Sequence, residues 1–464
     1  MSPSADPQLS PDQRIFWRVA VIIGVASYLG ALYWAEAHLI GPVFGNRGYV
    51  VAPIPDNNPW VLFGLALLPA FWLPLGIERV SSFVLWLLYL VVVCTGILVP
   101  FWTGTLHGPR VLQFSFFLLI SLGLASLMTA LPTIQLPRLA IGNSLFWSLV
   151  LLAIVLIWAG TVALFGFPER LPSVYEVYQV RGEFKAEVQL RGAGILWGIV
   201  WVGNVLAPMT MAFAVRRRRP LLWAGVLAIQ LTLFAIAGLK TMLFAPILIA
   251  GLIVLLAWRK VPFALVLVAA SLFSVAACIA VDLFVGRPLL DMLLVRRVLI
   301  LPGLLSGYYV EFFSNHPHAQ IGYSFLGRLT DDAYGRTAGY VIGDLLAPGA
   351  GSNANANLFA AAYSKFGWGG IPVFGVLLGA VLWLADQATR GKDRMIALAI
   401  FAMPAVAVTN SELLTTLLGH GLVLGLVLAW LWPDPSSRGS IPSSSQGNPP
   451  TEALPLSSRF RMKA

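Results

Sequence analysis

Apolar residues run through this chain in blocks of about twenty, separated by mostly short polar connectors, from Ile15 to Trp432. A block of that length crosses the hydrocarbon core of a bilayer as a helix. Strands are excluded, because a lipid-exposed backbone must satisfy its polar groups within its own segment. The pattern predicts an all-α, polytopic integral membrane protein with about twelve transmembrane helices. Their expected bounds are 15–35, 60–77, 83–102, 111–131, 144–165, 194–214, 221–238, 241–257, 262–285, 358–385, 394–411 and 413–432. The seventh and eighth spans must turn within three residues, Leu239-Lys240-Thr241. The span from 358 is interrupted by Gly367, Gly369, Gly370 and Pro372, so its first turns are expected to stand clear of the bilayer.

One interruption is long. Residues 286–357, between the ninth and tenth spans, bring together five basic and five acidic side chains, His316 and His318, and the densest group of tyrosines. A second polar connector covers 166–193. The expected organisation is a short segment 1–14, a membrane domain 15–432 that includes both loops, and a Pro/Ser-rich tail 433–464 expected to be disordered. The first apolar run lacks a short apolar core and a cleavage site, and reads as a retained span. No internal repeat of fixed period stands out.

Composition sharpens the class. The chain is 58% hydrophobic and only 11% charged, with a mean hydropathy of +0.82. A soluble domain carries about a quarter charged residues. Lys and Arg mark cytoplasmic connectors, so Arg216 to Arg219, Arg259-Lys260 and Arg390, Lys392 and Arg394 belong inside, as do Arg79, Arg138 and both termini. On that topology the inner side holds 17 basic and 7 acidic residues, and the outer side 13 of each. The net charge of +10 is therefore cytoplasmic, and it argues against nucleic acid as a partner. Cys94 and Cys278 lie inside apolar runs and indicate neither a disulfide framework nor a thiolate metal site.

The candidate chemistry is in the outer connectors. The adjacent Arg296 and Arg297 suit a pyrophosphate, because guanidinium groups bind oxyanions through paired charge-assisted hydrogen bonds. Snorkelling from an interfacial helix accounts for them equally. Tyr308, Tyr309, Phe312 and Phe313 straddle Glu311 and offer faces for sugars to stack on, or form an aromatic belt at the membrane surface. Glu311, His316 and His318 are candidates for a general base near neutral pH, against the alternative of an exposed turn. Lys240 sits in a turn too short to carry it into water, which marks it as functional. Asp282 and Arg287 read as a pair. Asn353, Asn355 and Asn357 precede a helix that they can cap, and the helix start can face a phosphate or a sugar. There is no phosphate-binding glycine loop, HExxH or paired-cysteine zinc pattern, and the inner connectors are too short for a nucleotide-binding domain.

Three stretches carry a family resemblance. Arg181 and Gly192 in the third outer connector, and Arg296 and Gly307 in the fifth, each show an arginine, ten residues, then a glycine. NANANLFAAAYSKFGWGG leads into a Tyr-x-x-Phe-Gly helix, and GLKTMLFAPILI turns on a lysine into an apolar span. With its span count, the chain resembles the bacterial O-antigen polymerases, which join oligosaccharide repeat units. Lys240 stands where many relatives have arginine. The resemblance implies an inverting, metal-independent glycosyltransferase of the bacterial inner membrane, without cofactor. It would move a growing glycan from undecaprenyl pyrophosphate to a new lipid-linked repeat unit, and the resemblance leaves room for a chain-length-regulating co-polymerase as partner. In that scheme Arg296 and Arg297 hold pyrophosphate, Arg181 and Lys240 assist, Glu311 or His316 is the base, and Tyr308, Tyr309, Asn355 and Asn357 line the sugar track. Two rival expectations are an O-antigen ligase-like transferase and a flippase for the same lipid-linked sugar.

Overall fold

The computed structural model describes residues 10–52, 57–134, 137, 141–173, 176–191, 194–258, 260–321 and 333–433. Arg138, Gly192, Arg259 and nearly all of the tail lie outside the described residues, as do residues 1–9 of the N-terminal segment. In chain order the helices are α1 (Pro11–Arg47), α2 (Pro59–Trp72), α3 (Val80–Trp102), α4 (Pro109–Thr129), α5 (Asn143–Phe165), α6 (Val177–Arg191), α7 (Gly194–Arg216) and α8 (Pro220–Ala237). There follow α9 (Lys240–Ala257), α10 (Phe263–Val285), α11 (Asp291–Asn315), α12 (Ala338–Leu346), α13 (Leu358–Thr389), α14 (Arg394–Val408), α15 (Leu413–Leu418) and α16 (Leu422–Leu431). No strand occurs among the described residues. Ten of these helices are long and apolar enough to cross a membrane, so the chain is an all-helical polytopic membrane protein.

The sequence starts and stops these helices locally. Ser10 and Gln13 close a capping box on α1, Asn58 caps α2, and Asp393 caps α14. The tight turn between these helices exists but is shifted from the expected Leu239-Lys240-Thr241 to Gly238-Leu239: Gly238 ends α8 at φ 61°, and α9 begins at Lys240. Gly367 breaks α13 at φ 61°, where its glycine-rich start is expected to leave the regular helix. Helix α3 lies at the centre of the bundle, with 94% of its apolar window buried. The long α13 packs on α4, where Gly375 and Gly379 face Ser121 and Ala125 too closely for any side chain. At the periphery Phe273, Leu221 and Phe284 are exposed, as lipid-facing side chains are.

Contacts sort the helix ends into two sets. At one end Arg216 pairs with Asp393 at 2.7 Å, Arg394 donates to the Ile77 carbonyl at 2.9 Å, and Arg79 donates to that of Thr129 at 2.9 Å. These residues belong to the set that the charge distribution places together. The opposite end carries the turn before Lys240, the C-terminus of α10 and the N-termini of α4 and α13.

Three segments read as connectors are instead partly helical, one of them being 166–193, which contains α6. Residues 36–47 continue α1 through a wide π-helical turn, Glu36–Ile40. Within 286–357, α11 forms 25 helical residues, opening with a π-helical stretch, Asp291–Ile300. This helix is long enough to cross, yet both its ends lie at one end of the bundle. Its first amides, Leu290 and Asp291, donate to the Asp282 carboxylate at 2.8 and 2.7 Å, near the end of α10. Near its other end Glu311 pairs with Arg110 at the start of α4. Asp282 therefore serves these backbone amides rather than Arg287. Gly303 and Gly307, four apart, let α11 settle against Thr95, Val99 and Thr105, which gives Gly307 a packing reason for being glycine.

Candidate active site at the loop end of the bundle

A cationic cluster is assembled from four separate segments. Helix α11 supplies Arg296 and Arg297, the turn after α8 supplies Lys240, α6 supplies Tyr178, and α1 with the residue after its last turn supplies Glu36, Phe44 and Tyr49. The Arg296 guanidinium lies 4.3 Å from the ring centre of Phe44 and 5.4 Å from that of Tyr49, with Nη1 3.4 Å from the Tyr49 hydroxyl. A planar guanidinium can lie flat against such rings, whereas an ammonium meets them only as a point charge. Glu36 is fully buried and the Arg296 charge acts on it. Neither of its carboxylate oxygens, nor Arg296 Nε, has a hydrogen-bond partner. The two wide-turn segments, 36–40 and 291–300, pack against each other here. Such turns are concentrated at functional sites, because they rotate side chains out of the regular helical register.

Lys240 Nζ lies 2.9 Å from the Tyr178 hydroxyl and 4.2 Å from the centre of its ring. Hydrogen bonding to Lys240, with Arg297 beside the same hydroxyl, brings the Tyr178 phenol down from 10.0 to about 8. Burial pushes the Tyr49 phenol up, with Arg296 opposing it. Arg181 is exposed on α6, and its backbone rests on Gly238, where an added Cβ would stand 2.8 Å from the Arg181 amide. Arg181 and the turn before Lys240 are thus in contact through the backbone. Tyr308 reaches back to the loop at Gly48, leaving no room there for a side chain.

The remaining expected residues do not join this cluster. Glu311 follows Arg296 by fifteen positions on α11, roughly 20 Å along a helix. Its carboxylate is held by Arg110 Nη1 at 2.8 Å and by Asn315 Nδ2 at 3.3 Å. His316 stacks on Phe312 at 4.0 Å, with Nδ1 2.9 Å from the Phe312 carbonyl. Asn357 is corrected from a ligand contact to a structural cap. It is fully buried, its Oδ1 accepts from the Phe359 and Ala360 amides, and its Nδ2 donates to Pro302 O and Ser306 Oγ. No donor or acceptor is left for a substrate.

Near that end of α11 lies a polar cavity of about 170 Å³. Asn355, Asn353 and Thr337 line it with Arg336, Lys365 and Glu412, and buried Tyr309 forms part of its wall while donating to Ala354 O. Its charges are already matched: Lys365 pairs with Glu412 at 3.0 Å and Arg336 with Asp344 at 2.5 Å. A neutral wall of amides and hydroxyls suits a sugar better than an anion.

Nothing local in the chain marks Arg110, Lys365 or Glu412, whose partners are distant in it. Glu36 was detectable as an acid at the end of an apolar run, and Tyr178 as an aromatic near Arg181. Comparison with protein-family models, with curated proteins and with solved structures returned no match.

Proposed function

We propose that this protein polymerises undecaprenyl-pyrophosphate-linked oligosaccharide repeat units into a surface polysaccharide, at the outer face of the bacterial inner membrane. The observation that carries this reading is the convergence of Arg296, Arg297 and Lys240, opposite the end that collects the basic connectors. By the positive-inside rule the cluster then faces outward, with both termini cytoplasmic. The donor already contains its leaving group. A site that binds pyrophosphate and stabilises the charge arriving there as the sugar C1–O bond breaks supplies the main catalytic requirement.

In this mechanism Arg296, Arg297 and Lys240 take the pyrophosphate, with Arg181 at the rim. The acceptor hydroxyl attacks C1, the bonding electrons leave with the pyrophosphate, and the hydroxyl proton passes to a base. Glu311 and His316 stand too far along α11 for that role. Tyr178, whose hydroxyl lies among the cations and is brought down to about 8, is the group we assign to it. The polar cavity beside Asn355 and Tyr309 holds a sugar further along the glycan. Tyr308 lies between the two regions on α11.

Glycan ladders from cells carrying Arg296→Ala test the reading. With normal protein levels, long chains are expected to vanish while single repeat units stay attached. An unchanged ladder overturns the pyrophosphate assignment. Loss of single repeats as well points to the ligase-like reaction.

A further inference from the structure

A cavity of about 550 Å³ opens at the other end of the bundle, far from the cluster around Arg296. Arg14, Arg18, Arg79 and Lys260 line it, against a single carboxylate on its wall, Glu78. These arginines are not simply directed outward to water. Arg18 donates to Ala70 O at 2.7 Å and Leu73 O at 2.6 Å, and Arg79 to Thr129 O at 2.9 Å. These carbonyls lie at helix ends, where they fix a guanidinium in place and offset its charge only in part. Asp386 stands behind the wall rather than in it, with its carboxylate held by the Ser81 amide at 3.0 Å and hydroxyl at 2.6 Å.

The remaining wall has a polar part, with Ser81, Ser82, Ser126 and Thr129, and an apolar part formed by Trp72, Leu75, Leu85 and Pro262. Trp72 is 41% exposed, as an indole at a membrane interface is. A free inorganic anion would use the cations and leave this apolar wall in water. A molecule with a phosphate joined to hydrocarbon would cover both. Basic pockets between transmembrane helices take anionic headgroups on this physical ground. We propose that the cavity is a binding site for an anionic phospholipid, with its phosphate among Arg18, Arg79 and Lys260 and its proximal chain against Trp72 and Leu75. The assignment is independent of the reaction proposed above.

The test is native mass spectrometry of the full chain in detergent, titrated in parallel with phosphatidylglycerol, phosphatidylcholine and inorganic phosphate. Phosphatidylglycerol should be retained in preference to phosphatidylcholine, and inorganic phosphate should neither be retained nor compete. Arg14 and Lys260 make no side-chain hydrogen bond among the described residues, so Arg14→Gln with Lys260→Gln should leave thermal stability unchanged. That double variant should weaken phosphatidylglycerol retention about 25-fold, each interfacial cation contributing roughly fivefold. Equal retention of the two lipids, retention unaffected by the double variant, or competition by inorganic phosphate would each overturn the proposal.

Discussion

Arg296 and Arg18 are both fixed at an end of the same helical bundle, but by different partners. Arg296 lies over the rings of Phe44 and Tyr49, facing a buried Glu36, and donates its one resolved hydrogen bond to a phenol. Arg18 donates to two backbone carbonyls at the end of a helix. Aromatic rings and a carboxylate orient the plane of a guanidinium, which matters for gripping an oxyanion from a set direction. Carbonyls anchor charge without demanding a plane. The loop end is therefore built for geometry and the basic end for net charge.

Arginine-to-lysine exchange separates these uses most sharply. Arg296→Lys keeps the charge and loses the stacked plane, so polymer formation should fall about 100-fold, comparable to removing one donor to a developing anion. Arg18→Lys keeps a donor for carbonyls, and its thermal stability should stay within about 1 kcal/mol of the parent. Polymer synthesis by membranes, with unfolding followed in detergent, measures both. Equal losses at the two positions would remove the distinction.

Glycines at the two ends differ in the same way. Gly238 has φ 61° and backs directly onto the Arg181 backbone, whereas Gly391 has φ 76° with open space around it. Gly391→Ala meets only the conformational penalty, about 1 kcal/mol. Gly238→Ala adds a collision that must move α6, so its cost should reach about 2–3 kcal/mol. It should also separate Tyr178 from Lys240 and lower activity, while Gly391→Ala leaves activity intact. Thermal unfolding of the pair reads the first difference, and polymer yield reads the second.

Much of the fold was legible because the bilayer imposes it. Uniform apolar blocks fix most helix positions to within a few residues, although α1 runs on to Arg47 and the expected span 413–432 is divided between α15 and α16, and Gly238 and Gly367 mark breaks locally. The reading failed where an apolar helix does a different job. Helix α11 satisfies the length criterion, but Arg296, Arg297 and Glu311 made its stretch look like loop, and only contacts to Asp282 and Arg110 place both its ends together. The site was half legible. Arg296, Arg297 and Lys240 are conspicuous as charges in a greasy chain, whereas their partners Glu36, Phe44, Tyr49 and Tyr178 are joined to them by tertiary packing. Asn357 shows the converse: of the two roles open to it in the sequence, capping is the one it fills, with its amide nitrogen committed to Pro302 and Ser306 on α11.

The smallest expected effect is the titration of Tyr178. Lys240 and Arg297 favour its phenolate, so the phenol titrates at about 8 in the folded protein against 10.0 for an ordinary tyrosine. Below pH 8 the group is protonated in both folded and unfolded chains and contributes nothing. Between pH 8 and about 10 the folded chain has released the proton and the unfolded chain still holds it, so stability rises with pH across that window. The side chain is 53% exposed and solvent screens the cations, which limits the gain to less than about 1 kcal/mol. Unfolding midpoints of the parent and Tyr178→Phe should therefore diverge only above pH 8, and phenolate absorbance near that pH should be missing from the variant. Lys240→Met should return the titration towards 10.0 while Arg18→Met leaves it unchanged. A matching shift in both would mean that the two ends share one electrostatic environment, and the contrast between them would fail.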